Sequence, residues 1–115
     1  MKQQLLLFVL MFLPMVASAD DSGSCGENVT WTFVESTKTL TISGSGEMDN
    51  YNNYNWPNSV VVPWKNYKDQ IEKVIIDDGV SSIGDESFIG CGELNTITIP
   101  NSVVSVGNFS FEDCI

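Results

Sequence analysis

The amino-acid sequence predicts a mainly β protein in which a β-rich cap precedes a short solenoid of about two 23-residue coils. Three observations predict this class. The N-terminus has the layout of a cleavable secretory signal. A stretch of period-two alternation follows it. From residue 71 onward, apolar residues, Gly and Cys recur at one fixed spacing. We therefore divide the chain into residues 1–19, 20–70 and 71–115.

The first segment is typical of a secretory signal peptide. Lys2 supplies a positive charge, residues 5–16 form an apolar run, and residues 17–19 are small residues of the A-x-A type. A bilayer-spanning helix needs about 20 apolar residues, and this core is shorter. We therefore expect a secreted or cell-surface protein whose mature chain begins at Asp20 and has no stable membrane span.

Residues 20–70 predict a β-rich capping region. Apolar and polar residues alternate over residues 29–33 and again over 40–42, with a polar stretch between them, which indicates a β-hairpin. The Asn- and aromatic-rich residues 50–58 have no period and indicate a loop. A short helical turn fits residues 65–70, immediately before the repetitive part begins.

The repetition is the strongest signal in the sequence. Two units begin at Ile71 and Leu94, and Gly84 and Gly107 fall in both where the backbone must turn sharply. A period of about 20 to 29 residues with L-x-x-L-x-L spacing is typical of leucine-rich repeats. Stacked coils bury their inward side chains in one continuous core. We expect that core to contain Ile71, Val74, Ile76, Val80, Ile83, Phe88, Leu94, Ile97, Ile99, Val103, Val106 and Phe111.

Two groups of residues are candidates for ligand contact. The outward positions of the predicted strands form the natural contact surface of a solenoid. In the cap loop, aromatic faces beside amide side chains suit contact with a protein or a sugar, although the rings could instead pack on the cap. The candidates are Lys73, Ile75, Thr96 and Thr98 on the strands, and Tyr51, Tyr54 and Trp56 in the loop.

The second unit resembles the BspA-type leucine-rich repeat. It reads Leu94-x-x-Ile97-x-Ile99-Pro100-x-x-Val103-x-x-Val106-Gly107-x-x-Ser110-Phe111-x-x-Cys114. The lead-in, with Cys25-Gly26, the stretch 40–46 and Pro63-Trp64, is similar to the family's N-terminal region. The resemblance implies a surface or secreted protein with an elongated β-solenoid. It further implies adhesion to host proteins or to other cells, with no cofactor and no catalytic centre.

The sequence departs from this pattern in composition and in length. Ser87 and Ser110 stand where the family usually has Ala, and Asp77 stands where the second unit has Pro100. About two coils are visible, whereas repeat arrays usually need three or more for stability. A truncated structural relative without independent function is therefore the first alternative to an adhesion module.

The cysteines and the glycosylation sequons have open interpretations. Cys91 and Cys114 are repeat equivalents, and a strand spacing of about 4.7–4.9 Å allows a disulfide between them. We favour a ladder of small buried thiols, with Cys25 unpaired. Asn28 and Asn108 begin N-x-[ST] sequons that could carry glycan in a eukaryotic secretory pathway.

Composition narrows the function classes. With 5 Lys+Arg against 15 Asp+Glu, the net charge of −10 disfavours nucleic acid and anionic lipid. The chain has no His, the commonest general base and metal ligand. We expect no cofactor and no metal, and a protein or cell-surface ligand on a host or neighbouring cell.

A secreted glycan-active enzyme is the second alternative, because paired carboxylates serve glycoside hydrolysis. Its candidates are Asp77, Asp78, Asp85, Glu86, Glu112 and Asp113, which solvated turns explain more simply.

Overall fold

A computed structural model describes residues 19–55 and 57–114, so residues 1–18 of the predicted signal peptide and Trp56 lie outside the described residues. The mainly β fold class is confirmed. The described strands are β1 (Asp21–Gly26), β2 (Val29–Val34), β3 (Thr39–Gly44), β4 (Gly46–Glu47), β5 (Lys73–Ile76), β6 (Val80–Ile83), β7 (Thr96–Thr98) and β8 (Ser105–Val106). A single 3-10 turn in this part of the chain, Lys65–Tyr67, lies within the predicted helical turn.

The strands form two sheets. A five-stranded sheet has the order β1-β2-β3-β5-β7, and a three-stranded sheet has the order β4-β6-β8. Strands β1, β2 and β3 pair antiparallel, while every later pair is parallel. Parallel neighbours need a long crossover connection, and each coil supplies one by passing through the second sheet. The hairpin of the cap is therefore continuous with the solenoid.

The second half of the cap is itself a coil. Leu40 pairs with Val74, which pairs with Ile97, so β3 occupies the same place in its coil as β5 and β7. Gly46 and Val80 repeat this correspondence in the second sheet. We name residues 38–70 the entry coil, 71–93 the first repeat coil and 94–114 the second repeat coil. The entry coil is longer because a loop over residues 54–63 is inserted into it.

An aromatic ladder runs through the three coils. The Phe88 ring stacks on Trp64 at a centroid distance of 5.6 Å and on Phe111 at 5.5 Å. The Trp64 indole also donates a hydrogen bond of 3.0 Å to the Ser87 carbonyl oxygen. Trp64 thus occupies, in the entry coil, the position that Phe takes in each repeat coil. Phe88 and Phe111 occupy equivalent positions in one stack of rings, as coil stacking requires.

Burial differs between the two repeat coils. The expected core residues of the first repeat coil are all buried, whereas in the second Ile99 and Val106 are exposed. The latter two therefore depart from the sequence expectation, because no described coil covers the far side of the second repeat coil. The buried set is Ile71, Val74, Ile76, Val80, Ile83, Phe88 and Leu94, and the half-buried set is Ile97, Val103 and Phe111.

The repeated glycines are required by close approach rather than by backbone twist. Gly84 and Gly107 are not among the glycines with positive φ. A Cβ atom on Gly84 would lie 1.8 Å from the Asp49 carbonyl oxygen, and one on Gly107 would lie 2.4 Å from the Asp85 backbone nitrogen. Any side chain at either position would push neighbouring coils apart. Glycine is therefore required at both positions by a contact between coils, which the expectation of a sharp turn did not include.

Candidate binding surface

The outward face of the five-stranded sheet carries two rows of side chains. One row runs across β2, β3, β5 and β7 through Thr32, Thr41, Ile75 and Thr98. The parallel row runs through Val34, Thr39, Lys73 and Thr96. Because side chains alternate along a strand, these positions point away from the core residues between them. We name the eight residues of the two rows the strand face.

The strand face is rich in hydroxyl groups and nearly free of charge. Five of its eight residues are Thr, and Lys73 is its single charged residue. None of the eight is buried. Each Thr offers a hydroxyl that both donates and accepts, beside a methyl group. The chain has 15 Asp+Glu, but none of them is among the eight residues of the strand face, so this face is less acidic than the chain as a whole.

The structure brings together the four strand residues predicted as contacts and adds others that the sequence reasoning missed. Lys73, Ile75, Thr96 and Thr98 lie on β5 and β7, next to the threonines of β2 and β3. A signal for the missed residues was available. The triplet Thr-x-Thr occurs at residues 30–32, 39–41 and 96–98, in three strands of the same sheet.

The aromatic loop residues do not form one contact group. Tyr51 is buried, and its ring meets Trp64 edge-on at a centroid distance of 5.9 Å. Burial, followed by the nearby Cys25 and Asp49, raises the pKa of the Tyr51 phenol, and its hydroxyl has no partner in the described structure. Tyr51 is therefore a core residue, contrary to the expectation of ligand contact. Tyr54 is exposed, and Trp56 lies outside the described residues.

The asparagines close the base of the loop. The Asn53 backbone amide donates 2.8 Å to Glu86 Oε1, and its side-chain amide donates 3.1 Å to the Glu86 carbonyl oxygen. Val62 donates its backbone amide to Asn53 Oδ1 at 3.1 Å. The two ends of the loop are joined by the Asn52 backbone amide, which donates a hydrogen bond of 3.0 Å to the Val60 carbonyl oxygen. Asx side chains that bond to nearby backbone are typical of tight loops.

Three of the six carboxylates considered for catalysis hold turns between coils. Asp77 accepts a hydrogen bond of 2.7 Å from the Ser43 hydroxyl, and Asp85 accepts one of 2.7 Å from the Asn108 backbone amide. Glu86 is bound to Asn53 of the entry coil. Each of these three groups bonds to a different neighbouring coil segment. The positions of these three carboxylates are explained by hydrogen bonds between coils, which the interpretation as solvated turn charges did not include.

The serines that replace Ala are buried and hydrogen-bonded. Ser87 Oγ donates 2.6 Å to the Gly84 carbonyl oxygen, and Ser110 Oγ donates 2.6 Å to the Gly107 carbonyl oxygen. Ser110 Oγ also lies 3.1 Å from the Gly84 carbonyl oxygen, which joins the two repeat coils. A buried hydroxyl needs such a partner to offset its desolvation. The departure from the family pattern therefore has a structural explanation.

All three cysteines are free thiols. Burial, together with Asp49, raises the pKa of Cys25 to about 12. Burial raises the pKa of the Cys91 thiol to about 12, and the nearby Cys114 is the second cause of this rise. Cys114 is half-buried, its pKa is raised, and its Sγ donates to the Phe88 carbonyl oxygen at 3.1 Å. The structure thus has the thiol ladder rather than the Cys91–Cys114 disulfide.

The two sequon asparagines are both exposed. Asn28 lies in the turn between β1 and β2, and Asn108 follows β8. Over residues 19–55 and 57–114, no cluster of His, Cys, Asp or Glu could hold a metal ion. In the same ranges, no helix has the length and apolar character needed to cross a membrane.

The class of protein follows from these coils: parallel strands at one fixed spacing, a continuous core and an aromatic ladder define a leucine-rich-repeat solenoid. Residues 65–115 match the family model described as "BspA type Leucine rich repeat region (6 copies)". The chain is also similar to a leucine-rich repeat protein from Eubacterium ventriosum ATCC 27560, with 28% sequence identity and a TM-score of 0.69. Residues 65–115 are thus similar to BspA-type leucine-rich repeats, and the chain shares the fold of a leucine-rich-repeat protein.

The structural match has a defined extent. It covers 82% of this chain but 24% of the Eubacterium ventriosum protein, so the chain spans about a quarter of that protein's length. No curated protein matches the chain significantly. The match covers 82% of this chain, whereas residues 65–115 are less than half of it. The match therefore extends from the repeats well into the cap.

Proposed function

We propose that this chain is a secreted or cell-surface adhesion module that binds a protein on a host or neighbouring cell through its strand face. Leucine-rich-repeat proteins are a class built for protein interaction, and their stacked strands create extended binding surfaces. The observation that carries the proposal is the continuity of the strand face. Four strands, from the cap to the second repeat coil, contribute to one surface rich in Thr.

The chemistry of this surface favours a protein partner. Hydroxyl groups pair with the backbone and with polar side chains, while Ile75 and the Thr methyl groups offer apolar contact. Few charges need to be desolvated, since Lys73 is the single charged residue of the face. Desolvation of imperfectly paired polar and charged groups is a main cost of association. We expect Lys73 to favour binding of a partner that places a carboxylate opposite its ammonium group.

A charge-insertion experiment tests the strand face. Purified host extracellular proteins would be immobilised, and binding of the chain would be measured by surface plasmon resonance. For any partner found, Thr41→Glu combined with Thr98→Glu should weaken binding at least tenfold, because the new carboxylates lose water on contact. Thr37→Glu combined with Ser36→Glu adds the same charge in the exposed β2–β3 turn and should change binding less than about twofold. Equal losses in both variants would contradict the proposal.

Secretion is tested separately. Expression of the full chain in a secreting bacterial host should release a protein whose first residue is Asp20, which N-terminal sequencing or intact mass identifies. Replacing Leu6 and Leu7 by Lys disrupts the predicted apolar core and should leave the chain in the cytoplasm. Retention of the unaltered chain in the cytoplasm would contradict secretion, whatever the strand face binds.

A further inference from the structure

A groove lies beside the inserted loop, apart from the strand face. Its volume is about 320 Å³, and none of its lining residues belongs to a strand. The apolar part of its wall is formed by Tyr54, Val61, Val62 and Ile89. Small-molecule and side-chain pockets typically start at about 300 Å³. The groove can therefore hold one or two side chains of a partner.

The groove is cationic in an acidic protein. Two of the five Lys residues of the chain, Lys65 and Lys68, line it, and no carboxylate does. The Lys68 side chain lies against Gly90, where a Cβ atom would lie 3.3 Å from its ammonium nitrogen. The absence of a side chain at Gly90 leaves room for the ammonium group. The local charge is thus opposite in sign to the net charge of −10.

The walls of the groove are held in place by the coil stack. Asn53, which lines it, bonds to Glu86 of the first repeat coil through two donors. Val62 bonds to the Asn53 side chain, and Ile89 belongs to the first repeat coil itself. Lys65 begins the 3-10 turn that follows the loop. A site whose walls are fixed before binding loses less conformational entropy on association.

We infer that this groove binds an acidic peptide segment in which a carboxylate side chain flanks an aliphatic or aromatic one. The carboxylate would meet Lys65 and Lys68, whose ammonium groups act as compact charges with several donors. The apolar side chain would enter between Val61, Val62 and Ile89. Because four apolar or aromatic residues line the groove, a peptide fits it better than an anionic sugar. This is a second surface, with chemistry different from that of the strand face.

Labelled peptides test the inference by fluorescence anisotropy with the full mature chain. The probes are peptides of alternating Glu and Leu, Gln and Leu, or Lys and Leu. Without Lys2, the mature chain has a net charge of −11, which attracts the Lys probe and repels the Glu probe, so general electrostatics favours the wrong peptide. Preference for the Glu probe would therefore report the groove itself. We expect the Glu-Leu peptide to bind at least tenfold more tightly than the other two.

A pair of double variants locates the site. K65Q/K68Q should weaken binding of the Glu-Leu peptide about tenfold, equal to about 1.4 kcal/mol. S36E/T37E, in the exposed β2–β3 turn, changes the net charge equally and should weaken it less than twofold. Both should keep the unaltered unfolding midpoint, since these side chains are not buried. Replacing Leu by Gly in the peptide should also weaken binding, with the protein unchanged.

Three results would overturn the inference. One is tighter binding of the Lys-Leu peptide, and another is an equal loss in the two double variants. The third is binding of an oligogalacturonate that K65Q/K68Q abolishes, with no binding of the Glu-Leu peptide, which would assign the groove to an anionic sugar. Loss of strand-face binding in the charge-insertion variants would leave all three readings unaffected, so the two surfaces are tested independently.

Discussion

The first and second repeat coils have nearly the same residue pattern but very different burial. Ile76 is 2% exposed, and its equivalent Ile99 is 45% exposed. Ile83 is 1% exposed, and its equivalent Val106 is 52% exposed. The first repeat coil lies between two others, whereas the described residues cover only one side of the second. An inward-facing side chain is therefore buried by its neighbours on both sides, not by its own coil.

This difference shows where the stability of the solenoid arises. In repeat proteins, stability is approximately a sum of intrinsic repeat terms and interfaces between nearest neighbours. A residue at one repeat position should therefore contribute according to the number of coils that cover it. Three pairs of substitutions at equivalent positions, measured by unfolding, and one pair of thiols, measured by reactivity, can break or sharpen this comparison.

The aromatic ladder should show the largest effect. Phe88 stacks on two rings and is fully buried, so Phe88→Ala should lower the free energy of unfolding by about 3–5 kcal/mol. Phe111 stacks on one described ring and is half-buried, so Phe111→Ala should have less than half that effect. Urea denaturation followed by Trp fluorescence measures both. Equal losses would contradict burial by neighbours, and Phe88→Leu serves if the Ala variant does not fold.

A second pair compares one aliphatic residue in both coils. Ile76→Ala should lower the free energy of unfolding by about 2–5 kcal/mol, because it leaves a cavity between two coils. Ile99→Ala removes a side chain that water already reaches, and we expect a loss of about 1 kcal/mol or less. The two variants delete the same atoms, so each is the control for the other. A larger loss at Ile99 would reverse the order that stacking predicts.

The third pair tests close approach between coils. Gly84→Ala places a methyl group against the Asp49 carbonyl oxygen and should lower the free energy of unfolding by about 1–3 kcal/mol. Gly107→Ala makes a similar clash with Asp85 but should have a smaller effect, because the second repeat coil can shift outward. Gly92→Ala is the control, with nothing within 4 Å of its Cβ position. A neutral Gly84→Ala in thermal unfolding would show that the coils are packed less closely.

The last comparison concerns the thiols. Cys91 is buried with its pKa raised to about 12, whereas Cys114 is half-buried, so iodoacetamide at pH 8 should modify Cys114 first. Mass spectrometry over time measures the order.

Because the folded state holds the Cys91 and Cys25 protons more tightly than the unfolded chain, whose thiols titrate near 9.0, stability is full below pH 9 and falls towards pH 12. Faster modification of Cys91, or stability that rises over this range, would contradict the buried ladder.

The sequence predicts the repeat coils and the β2–β3 hairpin well, for physical reasons. A 23-residue period fixes which residues stack, and period-two alternation fixes the faces of β2 and β3. The aromatic ladder from Phe88 to Phe111 follows from the same period. These features depend on side-chain type at regular spacing, which a sequence displays directly. The candidate contacts on β5 and β7 follow from the same alternation.

Other features depend on contacts that the spacing does not display. Strand β1, with the sequence DSGSCG, has low β propensity and forms because β2 pairs with it. The entry coil is hidden because the loop insertion separates Leu40 from Val74 by 34 residues, against 23 between Val74 and Ile97. The burial of Tyr51 and the exposure of Ile99 depend on which segments cover them. The cationic groove forms only when the loop folds onto the first repeat coil.

Native-state hydrogen exchange compares the two repeat coils most directly. The Glu72 backbone amide donates a hydrogen bond of 2.9 Å to the Lys38 carbonyl oxygen. The equivalent Asn95 amide donates one of 2.9 Å to the Glu72 carbonyl oxygen, so the two bonds are alike in length. Local opening depends on how the surrounding coil is packed. If burial by neighbours stabilises a coil, Asn95 should exchange at least about tenfold faster than Glu72 after correction for intrinsic rates. Equal protection of the two amides would contradict that claim.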